Sequence, residues 1–400
     1  MNIGIVTTWF ERGAAYVSKM YMKALQETGN NVYIYARGGE KFEKESNEWN
    51  QSNVTWGLNL LGTNINLRHF EKWIKDNSID VIFFNEQREF SIVAEIKKRH
   101  NNLKLGAYID YYTEEMLPYY DIFDFIICNT KRHLEAFKNN KVEKYYIKWG
   151  TDIDLYNDDT NQSHDLVTFF HSMGMSNRKG TELLINAFIT GELYKKSKLI
   201  IHTQKSIEEA FNIKTNGLDK YNIQIIEDTV GAPGLYYLGD VYVYPTKLEG
   251  LGLTLYEALA SGLPVITTDF PPMNEVIDNC NGKLVNVCQL HSRSDGYYWP
   301  LAICDEKSLI DQMKYYIDNK DLIEQLKKDA RNFAVKELNF NDRYEKINNI
   351  FKKAKIKKLD MCLYNKIINA KKRNKSKHLL YGLSNDSYIE NMFFNIIKKK

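Results

Sequence analysis

The feature that most restricts what this chain can fold into is an alternation of short apolar runs with longer amphipathic ones, and it occurs twice. In the first third, Asn2–Thr7, Val32–Ala36, Val81–Asn85, Leu103–Ile109, Phe125–Asn129 and Tyr145–Lys148 are apolar runs of strand length. Helix-like stretches lie between them. The clearest opens at Gly13 and carries Val17, Met20, Tyr21, Ala24 and Leu25 on one face before Gly29 ends it; another covers Phe90–Arg99. Apolar strands separated by helices predict a mainly parallel sheet covered on both faces.

The alternation pauses at Trp149-Gly150-Thr151-Asp152 and the polar stretch Asn157–His164, then restarts. Leu166–His171, Leu199–Thr203, Ile223–Glu227, Val241–Pro245 and Val265–Thr268 read as strands, Thr181–Phe188 and Leu253–Ser261 as helices. Helices follow at Lys307–Asp318, Asp321–Leu338 and Asp342–Lys355. At 400 residues the chain exceeds what one core usually serves. The predicted fold class is therefore α/β, with two open Rossmann-like domains facing each other across a cleft. Residues 1–150 form the first, 151–338 the second, and 339–400 a crossing helix and a basic tail. Ligands of open α/β sheets bind at the carboxyl ends of the strands, which puts the site between the domains.

Composition narrows the classes further. With 44% hydrophobic and 26% charged residues, and no run of eighteen apolar ones, a membrane-spanning helix is not expected. The opening MNIGIVTTWF has no basic segment or cleavage site, so a cytoplasmic protein is expected. Five scattered cysteines (Cys128, Cys280, Cys288, Cys304, Cys362) read as reduced thiols rather than a disulfide frame or a zinc site. The net charge of +3 hides an asymmetry: residues 351–400 carry 14 Lys and Arg against 3 Asp and Glu, leaving 40 against 48 before them. The acidic body lacks a basic groove, which argues against a nucleic-acid partner.

The chemistry concentrates in Tyr244–Thr268. A strand ends at Pro245, and a glycine-bearing loop (Gly250-Leu251-Gly252) enters a helix near Leu253 and Thr254. The free amides and the dipole of such a helix start suit a diphosphate, and glycines let it come close. Glu249 precedes this anion site and Glu257 stands a turn beyond it, inside an otherwise apolar helix. Carboxylates are poor phosphate ligands but good acceptors for hydroxyls, so each is assigned a sugar hydroxyl. A second constellation runs from His171 to Phe188, where Arg178 and Lys179 sit at the start of a helix. Cations are disfavoured there by the dipole unless an anion lies between.

These residues carry a family resemblance. Glu249 to Glu257 matches the E-x7-E signature of retaining GT-B glycosyltransferases, family 4, and the surrounding E-G-L-G-L-x-x-x-E-A-x-A-x-G-x-P-V-I pattern is similar as well. The resemblance implies that Glu249 lies by the donor sugar, that Glu257 contacts the nucleotide ribose, and that amides at Gly252, Leu253 and Thr254, with Gly250 in the loop, hold the diphosphate. Lys179 would neutralise the leaving diphosphate. The family's companion arginine falls on Met173, so Arg178 is the candidate substitute. Gly13 resembles the small-residue loop that lets the donor approach from the first domain. The family's first-domain histidine is absent; Asp110 or Tyr111 would replace it, with Glu114 and Glu115 nearby on the acceptor side. Trp149–Asp154 resembles the family's hinge rather than a D-x-D metal motif, so neither a metal nor an organic cofactor is expected.

The resemblance thus implies transfer, with retention, of a sugar from a UDP- or GDP-linked donor to a glycan or lipid-linked acceptor, in envelope or surface-polysaccharide synthesis. An epimerase of the same fold and a non-catalytic nucleotide-sugar or glycan-binding subunit are the rivals. In the tail, Ile356, Leu359, Leu363 and Ile367 recur at near-helical spacing among lysines over Lys352–Lys377. This reads either as a peripheral helix on an anionic membrane or as a basic helix covering the first domain.

Overall fold

The computed structural model describes residues 1–371 except 39, 59–63, 160, 161 and 163, and the side chains of Lys41 and Phe42. In the first domain β1 (Asn2–Thr7), β2 (Asn31–Ala36), β3 (Val54–Trp56), β4 (Val81–Asn85), β5 (Lys104–Tyr108), β6 (Phe125–Cys128) and β7 (Glu143–Tyr146) form one sheet. Its order is β3-β2-β1-β4-β5-β6-β7, every pair parallel. The helices are α1 (Gly13–Glu27), α2 (Glu40–Glu43), α3 (Leu67–Asp76), α4 (Phe90–Arg99) and α5 (Lys131–Ala136). In the second domain β8 (Val167–Gly174), β9 (Ser197–Thr203), β10 (Ile223–Glu227), β11 (Val241–Tyr244), β12 (Val265–Thr268) and β13 (Gly282–Val285) form a sheet of order β10-β9-β8-β11-β12-β13. It too is parallel throughout. An antiparallel hairpin, β14 (Val287–His291) and β15 (Leu301–Cys304), follows. The helices here are α6 (Thr181–Thr190), α7 (Ile207–Phe211), α8 (Leu253–Ala260), α9 (Glu306–Asp318) and α10 (Ile323–Glu337).

Both sheets reverse their strand order once, between β1 and β4 and between β8 and β11. At such a switch point neighbouring connections leave on opposite faces and open a crevice. The loops leaving β1 and β4 carry Gly13 and Glu86; those leaving β8 and β11 carry Lys179 and Glu249. The site thus draws on both switch points.

The chain crosses between domains twice, side by side. Thr151 forms a parallel bridge with Asn339, its N–H donating to Leu338 O at 2.8 Å, while Phe340 N–H returns a bond to Thr151 O at 3.0 Å. A Cβ at Gly150 would meet Leu338 O at 2.3 Å, so the two crossings touch only because that residue is glycine. Helix α11 (Tyr344–Lys353) then lies on α1, with Phe351 fully buried against Phe83 and Phe125.

The single basic helix expected over Lys352–Lys377 is not formed: α11 stops at Lys353, the chain turns extended at Ala354, and residues 361–371 make a separate helix, α12. Asp124 explains the break. Its carboxylate takes Lys97 Nζ at 2.6 Å and the backbone N–H of Lys357 at 2.7 Å, tying the segment to the first domain. Tyr364 and Ile367 are buried there, with Leu359 and Leu363 packed beside them. Leu359, Leu363 and Ile367 thus cover the first domain, as the second reading of the tail expected, whereas Ile356 is exposed; residues 372–377 lie outside the described ones. Short elements also escaped the sequence reading: β3, α3, β13 and the β14–β15 hairpin.

Candidate functional site

β11 delivers Tyr244 to the cleft and the chain turns through Thr246 to Glu249, which is only 5% exposed. One oxygen of Glu249, Oε1, accepts from Lys179 Nζ at 2.7 Å, Tyr244 OH at 2.8 Å and Thr246 Oγ1 at 2.7 Å. Lys179 Nζ also donates to Tyr244 OH. Burial would raise the Glu249 carboxyl, but Lys179, Arg178 and Thr246 outweigh it and hold it below the ordinary carboxylate range. Burial likewise lowers Lys179, against the pull of Glu249. Two of the three ammonium N–H groups are committed, which leaves one for a phosphate oxygen.

The Arg178-Lys179 turn is fixed from behind. Lys247 N–H donates to Arg178 O at 2.8 Å, and Gly180, at φ +77°, sits so close that a Cβ would lie 2.1 Å from Pro245 O. Met173, where the family arginine would align, is fully buried in the second domain's core. Arg178 is exposed and acts electrostatically on both Glu249 and Asp110, so it is the cation that stands at the cleft.

Gly252, at φ +79°, caps α8 without a side-chain acceptor, so the first amides of the helix, at Leu253 and Thr254, have no carbonyl one turn back. Gly13 begins α1 directly opposite: a Cβ there would lie 3.5 Å from Leu253 Cδ1. Glu257, assigned a sugar hydroxyl by the sequence reading, has a partner within the protein: Tyr236 OH donates to its Oε2 at 2.7 Å. Burial raises this carboxyl, with Tyr236 and Tyr156 opposing. Glu249 and Glu257 thus bracket the Gly252 helix start with unlike protonation tendencies.

From the first domain, Asp110 presses against Gly250, where a Cβ would meet Asp110 Oδ2 at 2.3 Å. Burial first, then the charge and hydrogen bonding of Glu86 beside it, push the Asp110 carboxyl well above its usual range. Glu86 itself sits in the left-handed region at φ +54°. Tyr111 does not share this position. Its ring stacks on Tyr297 at 4.9 Å and its OH donates to Asp295 at 3.0 Å, because the 292–300 loop of the hairpin reaches over to it. Glu114 and Glu115 are simply exposed in a 3-10 turn.

Sequence reasoning assigned no chemistry to Arg132 and His133, at the start of α5. Yet Arg132 Nη2 donates to Glu249 O, Arg132 Nη1 to Pro271 O at 2.7 Å, and His133 Nε2 to Gly250 O at 2.9 Å. Glu275 of the second domain answers by accepting the N–H groups of Lys131 at 2.6 Å and Arg132 at 2.8 Å. Their position after β6, at the carboxyl edge of the sheet, was the available signal. Tyr244 was likewise legible as the last strand residue before the loop.

Comparison with known proteins bears on the fold and on the second domain. Residues 164–292 match the family model described as glycosyl transferases group 1. A lipopolysaccharide core biosynthesis mannosyltransferase of Rhizobium meliloti is 26% identical over 120 residues, 29% of this chain and 30% of the relative. A UDP-Gal:alpha-D-GlcNAc-diphosphoundecaprenol alpha-1,3-galactosyltransferase of Escherichia coli is 29% identical over 119 residues, 30% of this chain and 27% of the relative. The matched segment thus spans less than a third of either relative. An Anabaena protein solved with UDP and glucose shares the fold over 88% of this chain and 99% of its own, at a TM-score of 0.67 and 14% identity. The chain has the GT-B fold, and within its second domain residues 164–292 are similar to the glycosyl transferases group 1 family.

Proposed function

We propose that this protein is a glycosyltransferase that moves a sugar from a nucleoside diphosphate donor to a saccharide or lipid-linked glycan, with retention at the anomeric carbon. The observation that carries the reading is the Lys179–Glu249 pair, at 2.7 Å, held beside the uncapped start of α8 and facing Gly13 across the cleft. An anion at the helix start and a carboxylate next to it fit a diphosphate joined to a sugar. The neighbours that support a nucleotide-sugar donor are those solved with UDP and a sugar.

As the bond from the anomeric carbon to the diphosphate breaks, negative charge grows on the departing oxygen and positive charge on the ring. Lys179, Arg178 and the amides near Gly252 stabilise the first; Glu249 stabilises the second and orients the sugar. The acceptor hydroxyl forms the new bond on the same face and gives its proton to the departing phosphate. Asp110, beside Glu86 and against Gly250, is placed to hold an acceptor or donor hydroxyl. No residue of the chain is needed as a nucleophile, and no metal or organic cofactor enters this scheme. The acceptor belongs to envelope or surface-polysaccharide synthesis, and the protein works in the cytoplasm, with residues 372–400 meeting anionic lipid.

Radiolabelled UDP- and GDP-sugars offered with envelope-derived acceptors test the reading. Wild type transfers label, whereas Glu249→Ala and Lys179→Ala do not; equal turnover in all three overturns the site. An epimer formed from the donor without acceptor would identify an epimerase, and donor binding without turnover a non-catalytic subunit.

A further inference from the structure

The 292–300 loop belongs to the second domain but docks on the first, beside the cleft. Tyr297 bridges Thr113 in antiparallel fashion, Tyr298 N–H donates to Tyr112 O at 2.9 Å, and Tyr297 OH donates to Asp110 O at 2.6 Å. From this docked loop a chain of side-chain hydrogen bonds runs to the catalytic motif. Trp299 Nε1 lies 2.7 Å from Tyr112 OH, Tyr112 OH lies 2.9 Å from His133 Nδ1, and His133 Nε2 lies 2.9 Å from Gly250 O.

The chemistry of the two ends sets the direction of every bond. An indole N–H can only donate and a carbonyl can only accept. Tyr112 therefore accepts from Trp299 and donates to His133, and His133 carries its proton on Nε2. Burial pulls the His133 imidazole down to about 3, with the Arg132 charge beside it adding to the effect, so the ring stays neutral and keeps that single tautomer. The path leaves the second domain at Trp299, passes through Tyr112 and His133 of the first, and returns to the second at Gly250. Tyr112 and His133 are fully buried, so a broken link is not replaced by water.

We propose that Tyr112 and His133 are positioning residues that transmit the docking of the 292–300 loop to the backbone at Glu249-Gly250, so that the donor loop holds its working shape only when that loop is docked. Within the second domain the hairpin strand reaches the same segment two residues earlier, where Ala302 N–H donates to Lys247 O at 2.8 Å; the relay is the hydrogen-bonded path from the docked loop to Gly250. The neighbouring bond from Arg132 to Glu249 O holds the same peptide pair, and the Arg132 guanidinium lies 5.0 Å over the Trp299 ring, so it shares the hairpin contact through packing rather than through a hydrogen bond. The proposal rests on the functional reading only in calling residues 249–252 a donor loop.

Amide hydrogen exchange of the full-length chain, without substrate, tests it in Tyr112→Phe, Trp299→Phe and the double variant. At Tyr112 phenylalanine removes only the hydroxyl; at Trp299 it removes the indole N–H together with part of the fused ring, so the Tyr112 variant is the cleaner arm. Each single variant is expected to speed exchange of the segment 249–254 about tenfold, the size of one buried hydrogen bond lost, and the double variant no further. Trp299 makes no bond of the relay to that segment itself, and Tyr112→Phe leaves the Trp299–Arg132 contact in place, so an effect shared by both variants reports transmission through Tyr112 and His133. No change in either single variant, or multiplied effects in the double, overturns the proposal. In turnover the loss is expected in kcat, with the donor KM within about twofold; a loss confined to KM overturns it as well. Because exchange is read without substrate, a chain that transferred no sugar would sink the proposed function and leave this test intact.

Discussion

At the scale of single residues, the site is a charge arrangement balanced within the protein. Glu249 and Lys179 satisfy each other at low exposure, so removing one leaves the other buried and unmatched. Glu249→Gln keeps the shape and is expected to lower sugar transfer about a hundredfold while nucleotide affinity changes little, since the lost charge acts on the developing cation; steady-state rates with nucleotide titration check this. Two buried histidines set an acid limit. His133 is pulled down to about 3 and His171 to about 4, both chiefly by burial. In the unfolded chain each titrates near 6.5. Below about pH 6.5 the unfolded state therefore binds protons that the folded state refuses, and stability falls as pH drops towards 4. Melting temperatures between pH 7.5 and 4.5 should show this slope, and His133→Gln should flatten it.

At the scale of elements, the loops after β8 and β11 matter more than the helices they start. Gly180 permits a left-handed turn at φ +77° under Pro245, and that turn aims Lys179. Gly180→Ala is expected to lose about 2 kcal/mol or more, because both the backbone angle and the carbonyl contact oppose a Cβ; denaturant unfolding measures it. These features were legible from glycines and charges at strand ends. Helix α5 was not, since nothing local says that Arg132 and His133 will meet two carbonyls more than a hundred residues away. Nor was the outward turn of Tyr111, which the hairpin loop imposes.

At the scale of the molecule, the domains are joined at one end by the paired crossings at Thr151 and Asn339 and at the other by Arg132, His133, Glu275 and the docked hairpin loop. The returning chain adds a third contact. Lys104 Nζ donates to Phe351 O at 2.6 Å, closing the end of α11 over the first domain. Phe351→Ala empties a fully buried aromatic site and is expected to cost about 3–5 kcal/mol, read by unfolding of the whole chain. Truncation before residue 372 removes 372–400 and keeps Tyr364 and Ile367, the buried anchors of α12. The same truncation should reduce sedimentation with anionic vesicles if those basic residues meet lipid.

The two parallel sheets, and a helix start with Glu249 before it and Glu257 a turn beyond, follow from the sequence alone. Each depends on periodicity or on a fixed short spacing, which local stereochemistry translates directly into strand, helix and loop. What only the tertiary structure decided is which groups meet: Lys179 with Tyr244, Asp110 with Glu86, Arg132 and His133 with the donor loop, and the basic tail with the first domain. Those contacts join positions far apart in the chain, and they form because two sheets present their switch points to one another.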